Sequence, residues 1–254
     1  MKTPNAWLLP YAWQKIANFH YSWIGSANRR SFLTDMSTFK PSPASGSLIA
    51  PKLWLIDMDD TLYSASAGMF AEIDRAMTAY IEKELHMPHE EANRLRMHYW
   101  QKYGVTYYGL WKHHGIDPHH FLTATHKADT NSIHTQGRMR EALRDLPGKK
   151  ALFTNAPIAF AERVLRHLEL QNSFIVQYRA EDMRLFGQWH PKPSAKMLRA
   201  IIARHGLRPY QCCLIDDNLN NLKTAKKVGM QTVLCKGWHH HGLSAVAHMG
   251  YVDA

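Results

Sequence analysis

A short apolar run that ends in three carboxylates constrains this chain more than any other stretch. Residues 53–56 have the length and bulk of a buried parallel strand, and Asp57, Asp59 and Asp60 follow within four positions. Carboxylates crowded at a strand end repel one another and resist burial, so they persist where a bound cation or the handling of an anion compensates them. For an isolated Asp-x-Asp a solvated acidic turn is the simpler explanation, so the rest of the chain must decide.

The composition is that of a folded globular protein with a basic surface. The 254 residues are 45% hydrophobic, and 31 Lys and Arg against 21 Asp and Glu give a formal charge of +10. Because the sequence has no dense Lys/Arg block and no basic–aromatic repeat, we expect no specific nucleic-acid partner. We expect no membrane partner either, because no run reaches the roughly 18 to 20 apolar residues of a span. Composition leaves self-association undetermined.

The cysteines and a run of histidines are not expected to form a metal site. Cys212 and Cys213 are adjacent and cannot normally pair, and Cys235 completes no Cys-x-x-Cys motif. We therefore expect a reducing, cytoplasmic location with the cysteines as small core side chains. Residues 239–241 are all histidine, and three successive residues cannot all face one cation, so a surface loop is predicted there.

Hydrophobic periodicity divides the chain into three parts. Residues 1–50 are basic and poor in acids, which predicts a poorly ordered extension; a transit peptide or an over-extended reading frame are alternatives. Residues 67–137 carry apolar side chains three or four apart, which predicts an all-helical insertion. Residues 51–66 and 138–254 alternate short strands, one of them at 174–176, with helices. This alternation predicts an α/β fold with a doubly wound parallel sheet.

Polar side chains follow the predicted strands where each strand ends. Thr154 and Asn155 follow the strand at 151, Asp216 and Asp217 follow the strand at 212, and Lys192 immediately precedes a helix. In doubly wound sheets the chemistry gathers outside the carboxyl ends of the strands. The hydroxyl, the lysine and the two acidic clusters are therefore expected at one edge of the sheet.

In this order, these residues resemble the four motifs of the haloacid dehalogenase superfamily. The motifs are Asp-x-Asp-x-Thr-Leu at 57–62, Thr154, Lys192 and Asp216-Asp217, and the resemblance covers about residues 53–234. It implies a Rossmann-like core with the helical insertion as its cap. Segments 103–106, 109–110, 115–118 and 216–221 are also similar to the pyrimidine 5′-nucleotidase group, although Asn218 stands where that group often has serine.

The acids of the first motif can be assigned to the steps of phosphate-ester hydrolysis. Asp57 is the candidate nucleophile, because carboxylate attack forms an aspartyl-phosphate and splits one difficult displacement into two easier ones. Asp59 lies close enough to act as general acid and base, and its presence favours a phosphatase over the dehalogenase branch, which the resemblance implies lacks an acid there. Mg²⁺ prefers hard oxygen ligands, and Asp57, the main-chain carbonyl of Asp59 and Asp216 would suffice.

The remaining motif residues are expected to bind the phosphoryl group or to support the site. Thr154, the main-chain N–H of Asn155 and Lys192 would bind phosphoryl oxygens, with Lys192 also balancing the charge of the nucleophile. Thr61 is expected to brace the Asp57 loop through its hydroxyl, and Asp217 to be an outer or alternative metal ligand. Asn221 is expected to orient Asp216 or Lys192. Asp60 is expected to be exposed and to have no direct role.

The sequence therefore predicts a Mg²⁺-dependent phosphatase, with a pyrimidine 5′-nucleotide as the leading substrate by resemblance. A sugar phosphate or another small phosphorylated metabolite is the first alternative, because the cap decides the substrate. The second is a catalytically idle protein that uses its basic surface to bind a partner. Five aromatic residues of the insertion are expected to be mostly helix–helix core, with one or two that could stack on a base: Trp100, Tyr103, Tyr107, Tyr108 and Trp111.

Overall fold

The computed structural model describes residues 50–65, 68–131, 133 and 138–235, so most of the N-terminal extension and residues 239–241 lie outside it. A five-stranded parallel sheet has the strand order β3-β2-β1-β6-β7. A two-stranded antiparallel hairpin, β4-β5, follows β3. The strands are β1 (Leu53–Ile56), β2 (Lys149–Phe153), β3 (Val176–Tyr178), β4 (Arg184–Leu185), β5 (Gln188–Trp189), β6 (Cys212–Asp216) and β7 (Gln231–Leu234).

Eight α-helices accompany these strands in the described part of the chain. The first four, which we call the four-helix segment, are α1 (Met69–Leu85), α2 (His89–Tyr103), α3 (Thr106–His114) and α4 (Pro118–Thr125). The other four are α5 (Arg138–Asp145), α6 (Ile158–His167), α7 (Ala195–Arg204) and α8 (Leu219–Val228). None of the helices in these described ranges is long and apolar enough to cross a membrane.

Strand β1 lies at the centre of the sheet and is buried on both faces. Trp54 and Ile56 belong to a hydrophobic cluster shared with α5 and α6, whereas Leu53 and Leu55 belong to one shared with α7 and α8. This division follows from the alternation of side chains along a strand. Ile56 pairs with residues of both β2 and β6, so the carboxyl ends of three strands meet at one edge.

The four-helix segment has a hydrophobic cluster of its own, which includes Ile81, Leu110 and Phe121. Helices α2 and α3 approach closely at Gly109, where a Cβ atom would lie 2.2 Å from the Cγ atom of Tyr99. The ring of Tyr99 occupies the space that a larger residue would need. Trp189 of β5 joins the same cluster, so the segment packs directly against the hairpin.

The structure confirms the α/β fold class with a parallel sheet and corrects three details of its elements. The third strand is Val176–Tyr178 rather than 174–176, because the ladder with β2 begins at Val176 while Phe174 packs on the core. Helix α5 and the β4-β5 hairpin were not predicted. The hairpin strands have only two residues each, which is too short to show an alternation of polar and apolar side chains.

Candidate active site

The main chain after β1 turns sharply and brings its acids to the sheet edge. The Asp57 N–H extends the sheet ladder by donating to the carbonyl oxygen of Ile215, at 2.9 Å. The N–H groups of Thr61 and Leu62 then both donate to the carbonyl oxygen of Met58, which closes a tight turn. Within this turn Asp60 has a φ of +53°, in the left-handed region that acidic residues tolerate better than most.

Asp60 is buried, so the expectation of an exposed position was wrong. Only 3% of the residue is exposed, and its Oδ1 atom accepts a hydrogen bond from the Ala65 N–H at 2.9 Å. The side chain therefore ties the two sides of the loop together. The sequence did not reveal this, because an acid beside a motif can serve either the turn or the solvent.

Lys192 lies between two carboxylates at the centre of the site. Its Nζ atom is 2.6 Å from Oδ1 of Asp57 and 2.9 Å from Oδ2 of Asp216, and the residue is 3% exposed. Burial opposes the charge of an ammonium group, but the charges and hydrogen bonds of Asp216 and Asp57 more than offset it and raise the pKa of Lys192. Lys192 is therefore a fixed positive charge at this edge.

The loop that carries Lys192 is held by the side chain of Asn155 at the end of β2. The Asn155 amide group donates to the Lys192 carbonyl oxygen at 3.1 Å, and its oxygen accepts from the Lys192 N–H at 2.9 Å. Gly104, which ends α2, lies against the same carbonyl: a Cβ there would be 2.8 Å from the Lys192 oxygen. The prediction for Asn155 concerned its main-chain N–H, so sequence reasoning missed this side-chain pairing.

Asp216 ends β6 and is held on both of its oxygens. The Asn221 side-chain amide lies 2.9 Å from Oδ1 and 3.0 Å from Oδ2, and the Asn218 N–H donates to Oδ1 at 2.9 Å. Asn221 is in the first turn of α8, which starts directly after the strand. The short strand-to-helix connection therefore places a carboxylate and its hydrogen-bond donors side by side.

Asp59 accepts a short hydrogen bond from the hydroxyl group of Tyr63, four residues later. Desolvation raises the pKa of Asp59 to about 6, although the Tyr63 hydrogen bond and the Lys192 charge act in the opposite direction. Burial, followed by the charge of Asp59, raises the pKa of Tyr63 well above its usual value, so Tyr63 remains a donor. The sequence does not predict this contact, because a tyrosine that follows an apolar residue could equally be a buried core side chain.

Three carboxylates form a group that could hold a cation. Asp57, Asp216 and Asp217 each offer an oxygen atom, and these atoms lie within 4.8 Å of one another. Burial raises the pKa of Asp57 well above its usual value, although the charge of Lys192 acts in the opposite direction. Burial and the neighbouring charge of Asp216 raise the pKa of Asp217. One lysine does not balance three carboxylates, so these hard oxygen atoms fit a divalent cation such as Mg²⁺.

The two threonines of the motifs lie in different environments. Thr154 is fully buried, its N–H donates to the Tyr178 carbonyl oxygen at 2.9 Å, and its hydroxyl oxygen accepts from the Ala156 N–H at 3.1 Å. Thr61 is also buried, but its hydroxyl has no hydrogen-bond partner among the described residues. The expectation that this hydroxyl braces the Asp57 loop was therefore wrong, since the bracing comes from Asp60 and main-chain bonds.

A cleft of about 670 Å³ opens beside these residues, between the four-helix segment and the sheet edge. Asn155 and Asn221 reach it from the sheet side, and three rings of α2 and α3 line it: Trp100, Tyr103 and Tyr108. Trp100 is 55% exposed, whereas Tyr107 is buried edge-to-face against Trp189. Tyr107 is a buried member of the helix cluster, and three of the other rings are partly buried against that cluster: Tyr103, Tyr108 and Trp111. Tyr103 and Tyr108 therefore contact both the core of the segment and the cleft.

Comparison with known proteins finds similarity both in sequence and in fold. Phosphate metabolism protein 8 of Saccharomyces cerevisiae is 27% identical over 197 residues, which are 73% of this chain and 61% of the yeast protein. Among solved structures, a HAD phosphatase from Thermococcus onnurineus has a TM-score of 0.50 at 19% identity, covering 76% of this chain and 90% of its own. A proposed phosphoglycolate phosphatase from Lactobacillus plantarum has a TM-score of 0.52 at 15% identity, covering 74% and 87%.

The family assignment rests on a match over most of the described sheet and the whole four-helix segment. The model for haloacid dehalogenase-like hydrolases matches residues 51–229. This range contains all the residues gathered at the sheet edge, from Asp57 to Asn221. The chain therefore belongs to the haloacid dehalogenase-like hydrolases.

Proposed function

We propose that this hydrolase is a Mg²⁺-dependent phosphomonoesterase that acts through an aspartyl-phosphate on Asp57, with pyrimidine 5′-nucleotides as leading substrates. The observation that carries the proposal is the Lys192 ammonium group held between Asp57 and Asp216. A phosphate dianion repels a carboxylate nucleophile, so a buried positive charge beside that nucleophile is what the reaction needs. The name of the yeast relative, a phosphate metabolism protein, agrees with this chemistry.

Asp57 and Asp59 would carry the two chemical steps. A carboxylate oxygen of Asp57 attacks phosphorus, the bond from phosphorus to the leaving oxygen breaks, and Asp59 gives that oxygen its proton. A water molecule then attacks the phosphorus atom of the aspartyl-phosphate while Asp59 takes its proton, which releases phosphate and restores Asp57. A carboxyl group with a pKa of about 6 can serve in both directions near neutral pH.

Thr154, Asn155 and Lys192 would bind the phosphoryl oxygens during both steps. The hydroxyl of Thr154 already accepts a hydrogen bond, which leaves its own proton available for donation to a phosphoryl oxygen. The Asn155 side chain keeps the Lys192 loop in place while its main-chain N–H is proposed to contact phosphate. Loss of one such contact typically slows a reaction about a hundredfold or more.

Asp57, Asp216 and the main-chain carbonyl oxygen of Asp59 are the proposed Mg²⁺ ligands. Asp217 is an additional candidate, because its oxygen lies within 4.8 Å of the other two carboxylates. When bound, Mg²⁺ would supply charge that neutralises the transferring phosphoryl group. Asn221 would keep Asp216 oriented for this role through its contacts to both oxygens.

The four-helix segment would act as a cap that selects the leaving group. Trp100, Tyr103 and Tyr108 present aromatic rings to a cleft of about 670 Å³, which is large enough for a nucleoside. Aromatic faces stack on nucleobases, and this favours nucleotides over small sugar phosphates as substrates. A cytoplasmic location is proposed as well, since the three cysteines are thiols.

The test is phosphate release from a panel of monoesters that includes UMP, CMP and sugar phosphates, with Mg²⁺ or with EDTA. We expect Mg²⁺-dependent hydrolysis that Asp57→Asn abolishes. The matched control is Asp129→Asn, because Asp129 is an exposed acid outside the cleft. Circular dichroism of both variants would show that the fold is retained.

Each part of the proposal can fail separately in this assay. Undiminished turnover by Asp57→Asn, or no hydrolysis of any monoester, would contradict the phosphatase proposal. Full activity in EDTA would contradict the metal requirement alone. A preference for sugar phosphates over UMP and CMP would remove only the nucleotide assignment.

A further inference from the structure

The cleft beside the site has a cationic wall that the proposed reaction does not use. Of the seventeen described residues that line it, two are lysines and none is Asp or Glu. Lys102 lies in the last turn of α2, and Lys196 lies in the first turn of α7. The cleft therefore carries positive charge both on the four-helix segment and on the sheet side.

A third lysine adds to the charge from α3. The Nζ atom of Lys112 lies 5.6 Å from the centroid of the Tyr103 ring and 6.0 Å from that of Tyr108, and both rings line the cleft. The Nζ atom of Lys102 lies 5.4 Å from the Tyr103 centroid. Both ammonium groups therefore lie beside the same aromatic ring at the cleft, which concentrates positive charge there.

None of these three lysines forms a salt bridge with a carboxylate in the described part of the chain. The charges of these lysines also lower the pKa values of two histidines. Partial desolvation and then the charges of Lys102 and Lys112 lower the pKa of His113, and desolvation and Lys196 lower that of His190. Positive charges in a cleft that has no Asp or Glu among its lining residues favour the binding of an anion there.

The phosphoryl group does not account for this charge. Lys192 is buried between Asp57 and Asp216. Lys102 and Lys196 line the open cleft instead, and Lys112 lies beside two rings that line it. An uncharged leaving group would leave the positive charge of these lysines in place. A leaving group with its own negative charge would balance it while the aromatic rings contact the rest of the molecule.

Building on the proposed phosphatase function, we propose that the preferred substrate is a phosphate monoester whose leaving alcohol carries a second anionic group, bound by Lys102, Lys112 and Lys196. The second anion could be the phosphate of a nucleoside bisphosphate or the carboxylate of a small hydroxy acid. Both present oxygen anions to the same lysines, and the experiment below distinguishes them.

The test compares two pairs of ligands that differ only in the second anion. UMP is paired with uridine 3′,5′-bisphosphate, and glycerol 3-phosphate is paired with 3-phosphoglycerate. Calorimetry on Asp57→Asn with Mg²⁺ measures binding, and phosphate release by the protein with Asp57 intact measures kcat/KM. We expect the doubly anionic member of at least one pair to bind about tenfold more tightly or better, with a steeper dependence on salt.

The triple variant Lys102→Met, Lys112→Met, Lys196→Met tests whether these lysines cause the preference for the doubly anionic ligand. We expect it to remove the preference for the second anion, whereas Lys83→Met, an exposed lysine of α1 outside the cleft, keeps it. A preference confined to the uridine pair would indicate a nucleotide, and one confined to the glycerol pair would indicate a small hydroxy acid.

Failure of this inference is distinct from failure of the phosphatase proposal. Hydrolysis of all four compounds without a preference, or a preference that survives in the triple variant, would overturn the anion site and leave the phosphatase standing. Tighter binding of the doubly anionic ligand without any hydrolysis would support the anion site and overturn the phosphatase. Neither hydrolysis nor selective binding would overturn both.

Discussion

At the scale of single residues, the charged groups of the site are held in place by hydrogen bonds from neighbouring residues. Asp216 shares its oxygens among Lys192, Asn218 and Asn221. Among the described residues, Asn221 is the only one of these donors whose neutral side chain donates to both oxygens of Asp216. Its amide therefore fixes the rotation of the carboxylate without adding charge.

Asn221→Ala should weaken metal binding more than it weakens the chemical step. Hydrogen-bond partners of a metal ligand typically contribute about 10- to 100-fold to affinity, so we expect the half-saturating Mg²⁺ concentration to rise by that factor. The activity at saturating Mg²⁺ should fall much less. Phosphate release titrated with Mg²⁺ measures both quantities.

The matched control for this titration is Asn172→Ala, because Asn172 is an exposed asparagine outside the cleft. We expect the Mg²⁺ dependence of that variant to match the unmodified protein. An unchanged Mg²⁺ dependence in Asn221→Ala as well would show that Asn221 does not orient a metal ligand.

At the scale of elements, the end of α2 lies directly against the loop that holds Lys192. Gly104 has a φ of +81°, and a Cβ atom there would lie 2.8 Å from the Lys192 carbonyl oxygen and 2.9 Å from the Cδ atom of Pro193. Gly115 ends α3 with a φ of +68°, but a Cβ atom there would meet nothing within 4 Å. The two glycines share a left-handed backbone conformation and differ in what they touch.

Gly104→Ala should lower activity as well as stability, whereas Gly115→Ala should lower stability alone. Both variants place alanine in the left-handed region, at a cost of about 1 kcal/mol. Only Gly104→Ala also displaces the Lys192 loop, and a small shift of a catalytic group can reduce the rate tenfold or more. Phosphate release and denaturant unfolding of both variants measure the difference. Equal losses of activity in the two variants would contradict a coupling of α2 to Lys192.

At the scale of the whole molecule, His126 links the four-helix segment to the sheet layers. It follows α4, its ring packs edge-on against Phe160 of α6, and its carbonyl oxygen accepts a hydrogen bond from Arg163 at 2.7 Å. Burial lowers the pKa of His126 to about 4, and the charge of Arg163 acts in the same direction. The folded protein therefore keeps this ring neutral well below neutral pH.

The free energy of unfolding should fall as the pH is lowered from 7 to 5. The unfolded chain binds a proton at His126 below its ordinary pKa of about 6.5, while the folded chain does not until about pH 4. Stability should drop by about 1–2 kcal/mol over this range because of His126. Denaturant unfolding of the protein and of His126→Phe at several pH values measures it. An identical pH slope in the variant would rule out His126 as the cause.

The main elements and the position of the site could be predicted from the sequence, because strand ends in a parallel sheet place polar residues at one edge. Asp57, Thr154 and Asp216 follow from that rule. The turn after β1 could not be predicted: whether Asp60 or Thr61 supplies its hydrogen bonds depends on the path of the main chain. The exchange of hydrogen bonds between Asn155 and Lys192 joins loops far apart in sequence, and a single sequence carries no sign of it.

The position of β1 between β2 and β6 has a consequence for how the protein folds. Leu53 pairs with Lys149 on one side and with Cys212 on the other, so the central strand acquires both neighbours only after very long loops have closed. Contacts this distant in sequence form slowly, because the entropy of loop closure is lost before they contribute. We therefore expect the groups around Lys192 to be assembled late, so that recovery of activity during refolding reports completion of the whole sheet rather than of any fragment.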